Sequence, residues 1–180
     1  MAKIVEEHHY DGAGERLERL GLIPLLEELR SILRGVPLQV KEERDANGGA
    51  AVRRLIDARF PKPWAGVKSG DIDWTKCHPV NGTRVCLGVE IQMSARSDLL
   101  VIDVIHLRKA LEKGKIDVGV LVVPSDKLGV FLTDRGPRVS DAKRHIREAR
   151  AEDLPLVLLA LEHDGPGPAL KKQAKRERKK

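Results

Sequence analysis

Apolar positions recur with a helical rhythm at the start of the chain and a strand-like one in its middle. Leu17, Leu20, Leu25, Leu29 and Ile32 fall at roughly helical spacing, which predicts a helix over 13–34 stopped by Gly35. Val36-Pro37-Leu38-Gln39-Val40 reads as a short strand. Asn47 precedes a second helix through Val52, Leu55, Ile56 and Ala58, which Pro61 and Pro63 end. Ile72 to Thr75 and Val85 to Met93 then read as two strands, with Asn81-Gly82 as the turn signal between them. Ser97 or Asp98 caps a helix to about Glu112, ended by Gly114. Its Leu99, Leu100, Ile102, Val104, Ile105 and Leu107 surround much of the circumference and predict a largely buried element. Ile116 to Val123 is a near-continuous apolar run, the mark of a central strand covered on both faces. A polar loop from Pro124 to Pro137 and a basic helix from Ala142 to Arg150, capped by Ser140 or Asp141, lead to a last buried strand, Leu154 to Leu161. Gly165-Pro166-Gly167-Pro168 closes the domain. Strands alternating with helices predict an α/β fold, with one domain over 1–168 and a tail over 169–180.

Composition narrows this picture. The 180 residues suffice for one full core, and with only 3% aromatics that core must be built from Leu, Ile, Val and Ala. The net charge of +6 belongs to the end of the chain: residues 171–180 hold seven Lys/Arg and one Glu, and the remainder is balanced. Such a tail is attracted to phosphates in a salt-sensitive way, or simply solvates a frayed terminus. The start, Met1-Ala2-Lys3-Ile4-Val5-Glu6-Glu7, turns acidic at once and does not read as a signal peptide. The longest apolar runs are too short to span a bilayer. A soluble cytoplasmic protein with no membrane partner is expected.

The candidate chemistry lies in the middle strands. Side chains alternate faces along a strand, so Glu90 and Gln92 point the same way, roughly 7 Å apart, while Val89 and Ile91 point to the opposite, apolar face. With Asp73 on the neighbouring strand, this is a plausible site for a hard divalent cation, which needs one or two carboxylates plus water and phosphate oxygens. The bland alternative is a set of solvated edge residues. Cys77, His78 and Cys86 fall short of a structural zinc site and read as hairpin packing, and two cysteines make no disulfide framework. Gly12-Ala13-Gly14 lacks the preceding strand and the following Lys-Ser/Thr of a phosphate cradle.

The run Ile72-Asp73-Trp74-Thr75-Lys76, then Val89-Glu90-Ile91-Gln92, then Lys115-Ile116-Asp117-Val118-Gly119-Val120, resembles the type II restriction endonucleases of the BamHI/BglII/BstYI group, in the PD-(D/E)xK nuclease superfamily. Lys3-Ile4-Val5-Glu6, the helix led by Ala46-Asn47 and ending near Trp64, and Leu154-Pro155-Leu156-Val157-Leu158 extend the likeness over roughly 3–163. Gln92 stands where most of the superfamily has Lys, as in the BglII-like branch. The resemblance implies a restriction-endonuclease-like fold, a central mixed sheet flanked by helices. It implies Mg²⁺ held by Asp73, Glu90 and the backbone carbonyl of Ile91, with Gln92 orienting the attacking water. Asp73 heads the family's Asp-x-x-Lys run; Asp71, on the same face, is the fallback ligand. Asn47 matches a position that orients water or metal, and reads equally well as a helix cap. Lys76 would touch a phosphate or remain an exposed hairpin lysine.

The expected activity is Mg²⁺-dependent hydrolysis of double-stranded DNA at a specific palindrome by a homodimer, because a palindromic duplex presents identical half-sites. Base or phosphate contacts would come from Ser94, Arg96 and Ser97 after the Gln motif, and from Thr133, Asp134, Arg135 and Arg138. Two other readings stand beside it: a structure-selective or repair nuclease of the same superfamily, and a non-catalytic DNA-binding relative.

Overall fold

A computed structural model describes residues 1–66, 72–94, 96–133 and 136–171. Asp71, Asp134, Arg135 and the tail beyond Lys171 lie outside the described residues. The elements run β1 (Lys3–His9), α1 (Ala13–Arg19), α2 (Ile23–Arg34), β2 (Gln39–Val40), α3 (Gly49–Asp57), β3 (Ala65–Gly66), β4 (Trp74–Val80) and β5 (Thr83–Ile91). A 3₁₀ turn (Ser97–Leu99) then leads into α4 (Leu100–Glu112), followed by β6 (Val118–Pro124), α5 (Asp126–Phe131), α6 (Val139–Glu148), β7 (Leu156–Glu162) and β8 (Gly165–Pro166).

Six strands form one mixed sheet in the order β1-β7-β6-β5-β4-β3. β5, β6 and β7 are parallel, and β1, β4 and β3 join antiparallel at the two sides. This is the α/β, restriction-endonuclease-like architecture expected from the sequence. β6 is buried along its whole length, as a strand covered on both faces must be. One face of the sheet packs Val89, Ile91, Val120 and Leu159 against α1, α2 and α3. The other packs Leu121, Leu156 and Leu158 against Leu100, Val104 and Leu107 of α4 and Ala142 and Ile146 of α6. Glu90 alternates with Val89 and Ile91, so it faces α4.

Several local expectations are corrected. The predicted helix over 13–34 is two helices, because Pro24 opens a new first turn at α2. β1 escaped the periodicity because an edge strand with only partly buried residues carries little apolar alternation. The loop over 124–137 contains α5, whose start is capped by Ser125, with Oγ accepting from the Leu128 N–H at 3.0 Å. α6 begins at Val139 after Arg138, not at Ser140 or Asp141. The helix expected up to Glu112 is not buried all round: Leu99, in the turn before α4, and Ile102 and Ile105 on α4 are 38%, 43% and 38% exposed. Leu170, past the Gly-Pro segment, still packs on the core.

The hairpin is formed as expected, with Val80 opposite Thr83 and both Asn81 and Gly82 at positive φ, the two-residue turn that Asn-Gly favours. Cys77 and Cys86 sit directly opposite each other on it and are joined by a disulfide rather than merely packed.

Candidate active site

The site forms where β5 ends, between the helices of the two layers. β4 runs antiparallel to β5, with Trp74 paired to Val89, so Asp73, just before β4, reaches the same end. The Ile91 N–H donates to Asp73 Oδ2 at 2.8 Å, which fixes that carboxylate against the strand. Glu90 is 3% exposed, under α4. From α4, His106 Nδ1 lies 3.3 Å from Glu90 Oε1, and Asp103 accepts from Gln92 Nε2 at 2.8 Å. Glu90, Asp103 and His106 offer ligand atoms that all lie within 4.8 Å of one another.

This convergence has an electrostatic consequence. Burial, reinforced by the neighbouring Asp73 and Asp103 carboxylates, pushes the Glu90 carboxyl up to about 10 against the pull of Arg53. Burial and the charge of Asp73 push Asp103 up to about 7, while its hydrogen bond from Gln92 works the other way. Carboxylates gathered in a poorly solvated place either keep protons or acquire a cation. Oxygen donors of this kind suit a hard divalent ion, and the His106 imidazole extends the set toward Mn²⁺.

α3 contributes the cation already present. Arg53 Nη1 donates to Asp73 Oδ2 at 2.9 Å and to the Ile91 carbonyl at 2.5 Å, and Nη2 lies 2.9 Å from Asp73 Oδ1. Its Nε donates to both oxygens of Asp57, at 2.8 and 2.9 Å. Asp57 also accepts from Trp74 Nε1 at 3.0 Å, and Trp74 stacks on Phe60 with centroids 4.4 Å apart. Burial opposes the charge of Arg53, but hydrogen bonds and the charges of Asp73 and Asp57 outweigh it and hold its pKa above the ordinary value.

The structure brings Asp73, Glu90, Ile91 and Gln92 together as the sequence suggested. It does not bring Asn47 with them in either of the roles considered. The N-cap of α3 is Gly48. Asn47 is fully buried, with Oδ1 accepting from the Lys41 and Leu170 N–H groups and Nδ2 donating to the Lys41 and Phe131 carbonyls. Its amide is a structural tie between three segments, with no donor or acceptor left for a water. Lys76 is no exposed hairpin lysine either: it donates to Glu28 at 2.5 Å, 5.8 Å above the Trp64 ring.

Ser94, Arg96 and Ser97 lie on the segment between β5 and α4. Arg96 is exposed and paired with Asp98 at 2.8 Å. Thr133 donates its N–H to the Asn47 carbonyl, and Arg138 precedes α6 with its side chain lying over Gly129. Sequence reasoning missed Arg53, Asp57, Asp103 and His106. A signal existed for the last two: a carboxylate inside an otherwise apolar helical run, with a histidine three residues on, shares one face of that helix.

A family model described as "Restriction endonuclease BglII/BglIII" matches residues 5–161. No curated protein matches the chain.

Proposed function

The chain belongs to the BglII/BglIII restriction endonuclease family, and from that premise we propose that it cuts a specific palindromic DNA sequence as a Mg²⁺-dependent homodimer through the site around Asp73 and Glu90. It is a type II site-specific deoxyribonuclease, a hydrolase acting on DNA, and its family generally uses a divalent metal. The observation that carries the site assignment is the gathering of Asp73, Glu90, Asp103 and His106 at the end of β5. Asp73, Glu90 and the Ile91 carbonyl would hold the ion, with Asp103 and His106 beside them. A divalent ion there would neutralise charge growing on the scissile phosphate and lower the pKa of a coordinated water.

The chain's own groups would do the rest. Gln92 cannot take up a proton as a base. Its amide nitrogen steadies Asp103, so its carbonyl oxygen would be the atom that accepts a hydrogen bond from the attacking water. Ser94, Arg96, Ser97, Thr133 and Arg138 would face the duplex. Lys76, held by Glu28, would reach a phosphate only by leaving that partner. The exposed ridge of Leu99, just before α4, with Ile102 and Ile105 on it supports a two-fold contact between copies.

No helix among the described residues is long and apolar enough to cross a membrane. We place the enzyme in the cytoplasm, with the DNA on which its family acts. The nuclease unit would be 1–168 with a basic tail after it, although Leu170 remains attached to the core through the Asn47 amide.

Digestion of a plasmid of known sequence with Mg²⁺, followed by mapping of the ends, tests the reading. Discrete ends at one palindrome are expected; scattered ends at branched or bent DNA would point to a structure-selective nuclease. Asp73→Ala and Glu90→Ala should each abolish cutting while DNA binding in Ca²⁺ persists. Near wild-type cutting by either variant would remove the site assignment.

A further inference from the structure

Asp73 and the Ile91 carbonyl are two of the three groups expected to hold the divalent ion, and the Arg53 guanidinium lies on both. An ion and a guanidinium directed at the same oxygens repel each other, so they cannot occupy that corner together. Arg53 has a second anchor. Asp57 holds its Nε with both carboxylate oxygens, and Asp57 is itself fixed by Trp74. The terminal nitrogens can therefore swing away from Asp73 while the side chain stays tied to Asp57.

We propose that Arg53 is a resident cation that keeps the Asp73–Ile91 corner closed and neutral until a divalent ion displaces it toward Asp57. The inference rests on the reading of this corner as a cation site and adds a competitor to it. Without the ion, Arg53 supplies the charge that lets Asp73 stay beside Glu90 and Asp103. With the ion, that charge is redundant, and the guanidinium is released within reach of whatever anion enters the site. A ligand that must first displace a group from its site binds more weakly by the fraction of time the site stands open.

The test measures Mn²⁺ binding to the full-length protein without DNA, by calorimetry and by the electron-spin-resonance signal of free Mn²⁺. Arg53→Met keeps the stem and removes the charge, so it should bind Mn²⁺ about tenfold tighter or more. Its metal-free melting temperature should fall below wild type, and saturating Mn²⁺ should narrow that gap. Asp57→Asn removes the second anchor and should move affinity the other way, toward weaker binding. A group that only braces the fold would not produce opposite signs. Unchanged or weaker binding by a cooperatively melting Arg53→Met protein overturns the proposal, and so does tighter binding by Asp57→Asn. If wild type binds Mn²⁺ and Asp73→Ala does not, the cation site stands whatever Arg53 does. If wild type binds none at millimolar Mn²⁺, the cation site and the proposal fall together.

Discussion

A buried carboxyl with a raised pKa links chemistry to stability at the scale of one residue. Glu90 keeps its proton in the folded, metal-free protein to about pH 10, whereas in the unfolded chain it ionises near 4.5. The folded state therefore binds more protons between those values, and stability falls as pH rises through that window. Its contribution is complete below pH 4.5 and lost above about 10. Asp103 acts with the same sign between 3.8 and about 7. The slope from Glu90 alone is at most about 1.4 kcal/mol per pH unit. Glu90→Gln should flatten the pH dependence of the melting temperature between pH 5 and 9 in chelator. An equally steep fall in that variant would show that Glu90 ionises normally. Only part of this site could be read along the chain. Glu90, Gln92 and Asp73 announce themselves because strand alternation and a hairpin turn fix their faces locally. Arg53 could not be read, since an arginine on an amphipathic helix is ordinarily a solvated one, and only the approach of α3 to β5 gives it Asp73.

That approach is an element-scale property with a single-residue requirement. A Cβ added to Gly49, at the start of α3, would lie 2.0 Å from the Met93 carbonyl oxygen and 3.0 Å from Ser94 Cα. No side chain can rotate away from a backbone, so α3 itself would have to retreat. Arg53, one turn further on, would move with it. Gly49→Ala should therefore lower cleavage at least about tenfold, since an ångström of misplacement can cost far more, and should depress the melting temperature. Wild-type cleavage by Gly49→Ala would mean that α3 is free to shift without consequence for the site. The same helix explains why the reading of Asn47 failed. A polar residue just before a helical pattern normally caps it, but tertiary contacts with Lys41, Phe131 and Leu170 claim this amide first.

At the scale of the molecule, α4 serves two faces. Asp103 and His106 point toward Glu90, while Leu99, Ile102 and Ile105 stand open to solvent. On the proposed reading of a palindrome, a second copy would cover this ridge. Ile102→Glu combined with Ile105→Glu should convert a dimer into a monomer in sedimentation velocity, and should leave metal-free melting within a few degrees of wild type. A wild-type protein that sediments as a monomer at micromolar concentration, with or without DNA, would exclude this interface.

The local rules of the chain were enough for β5, the Asn-Gly turn before it, the buried strands β6 and β7 and the α/β class, because each depends on contacts among near neighbours or on plain apolar continuity; the strand expected over Ile72 to Thr75 runs instead from Trp74 to Val80. They were also enough to put Asp73, Glu90 and Gln92 at one place. What surrounds them was decided only when the sheet closed between two helical layers. α3 brings Arg53 and Asp57 from one layer, and α4 brings Asp103 and His106 from the other. Arg53 is far along the chain from Asp73, as Asp103 and His106 are from Gln92 and Glu90, and nothing in their own neighbourhoods requires those meetings; only the Arg53–Asp57 pair is local to one helix. Burial, which sets the protonation of Glu90 and Asp103, is likewise a property of the packed molecule, because the low dielectric that penalises a charge exists only after both layers are in place.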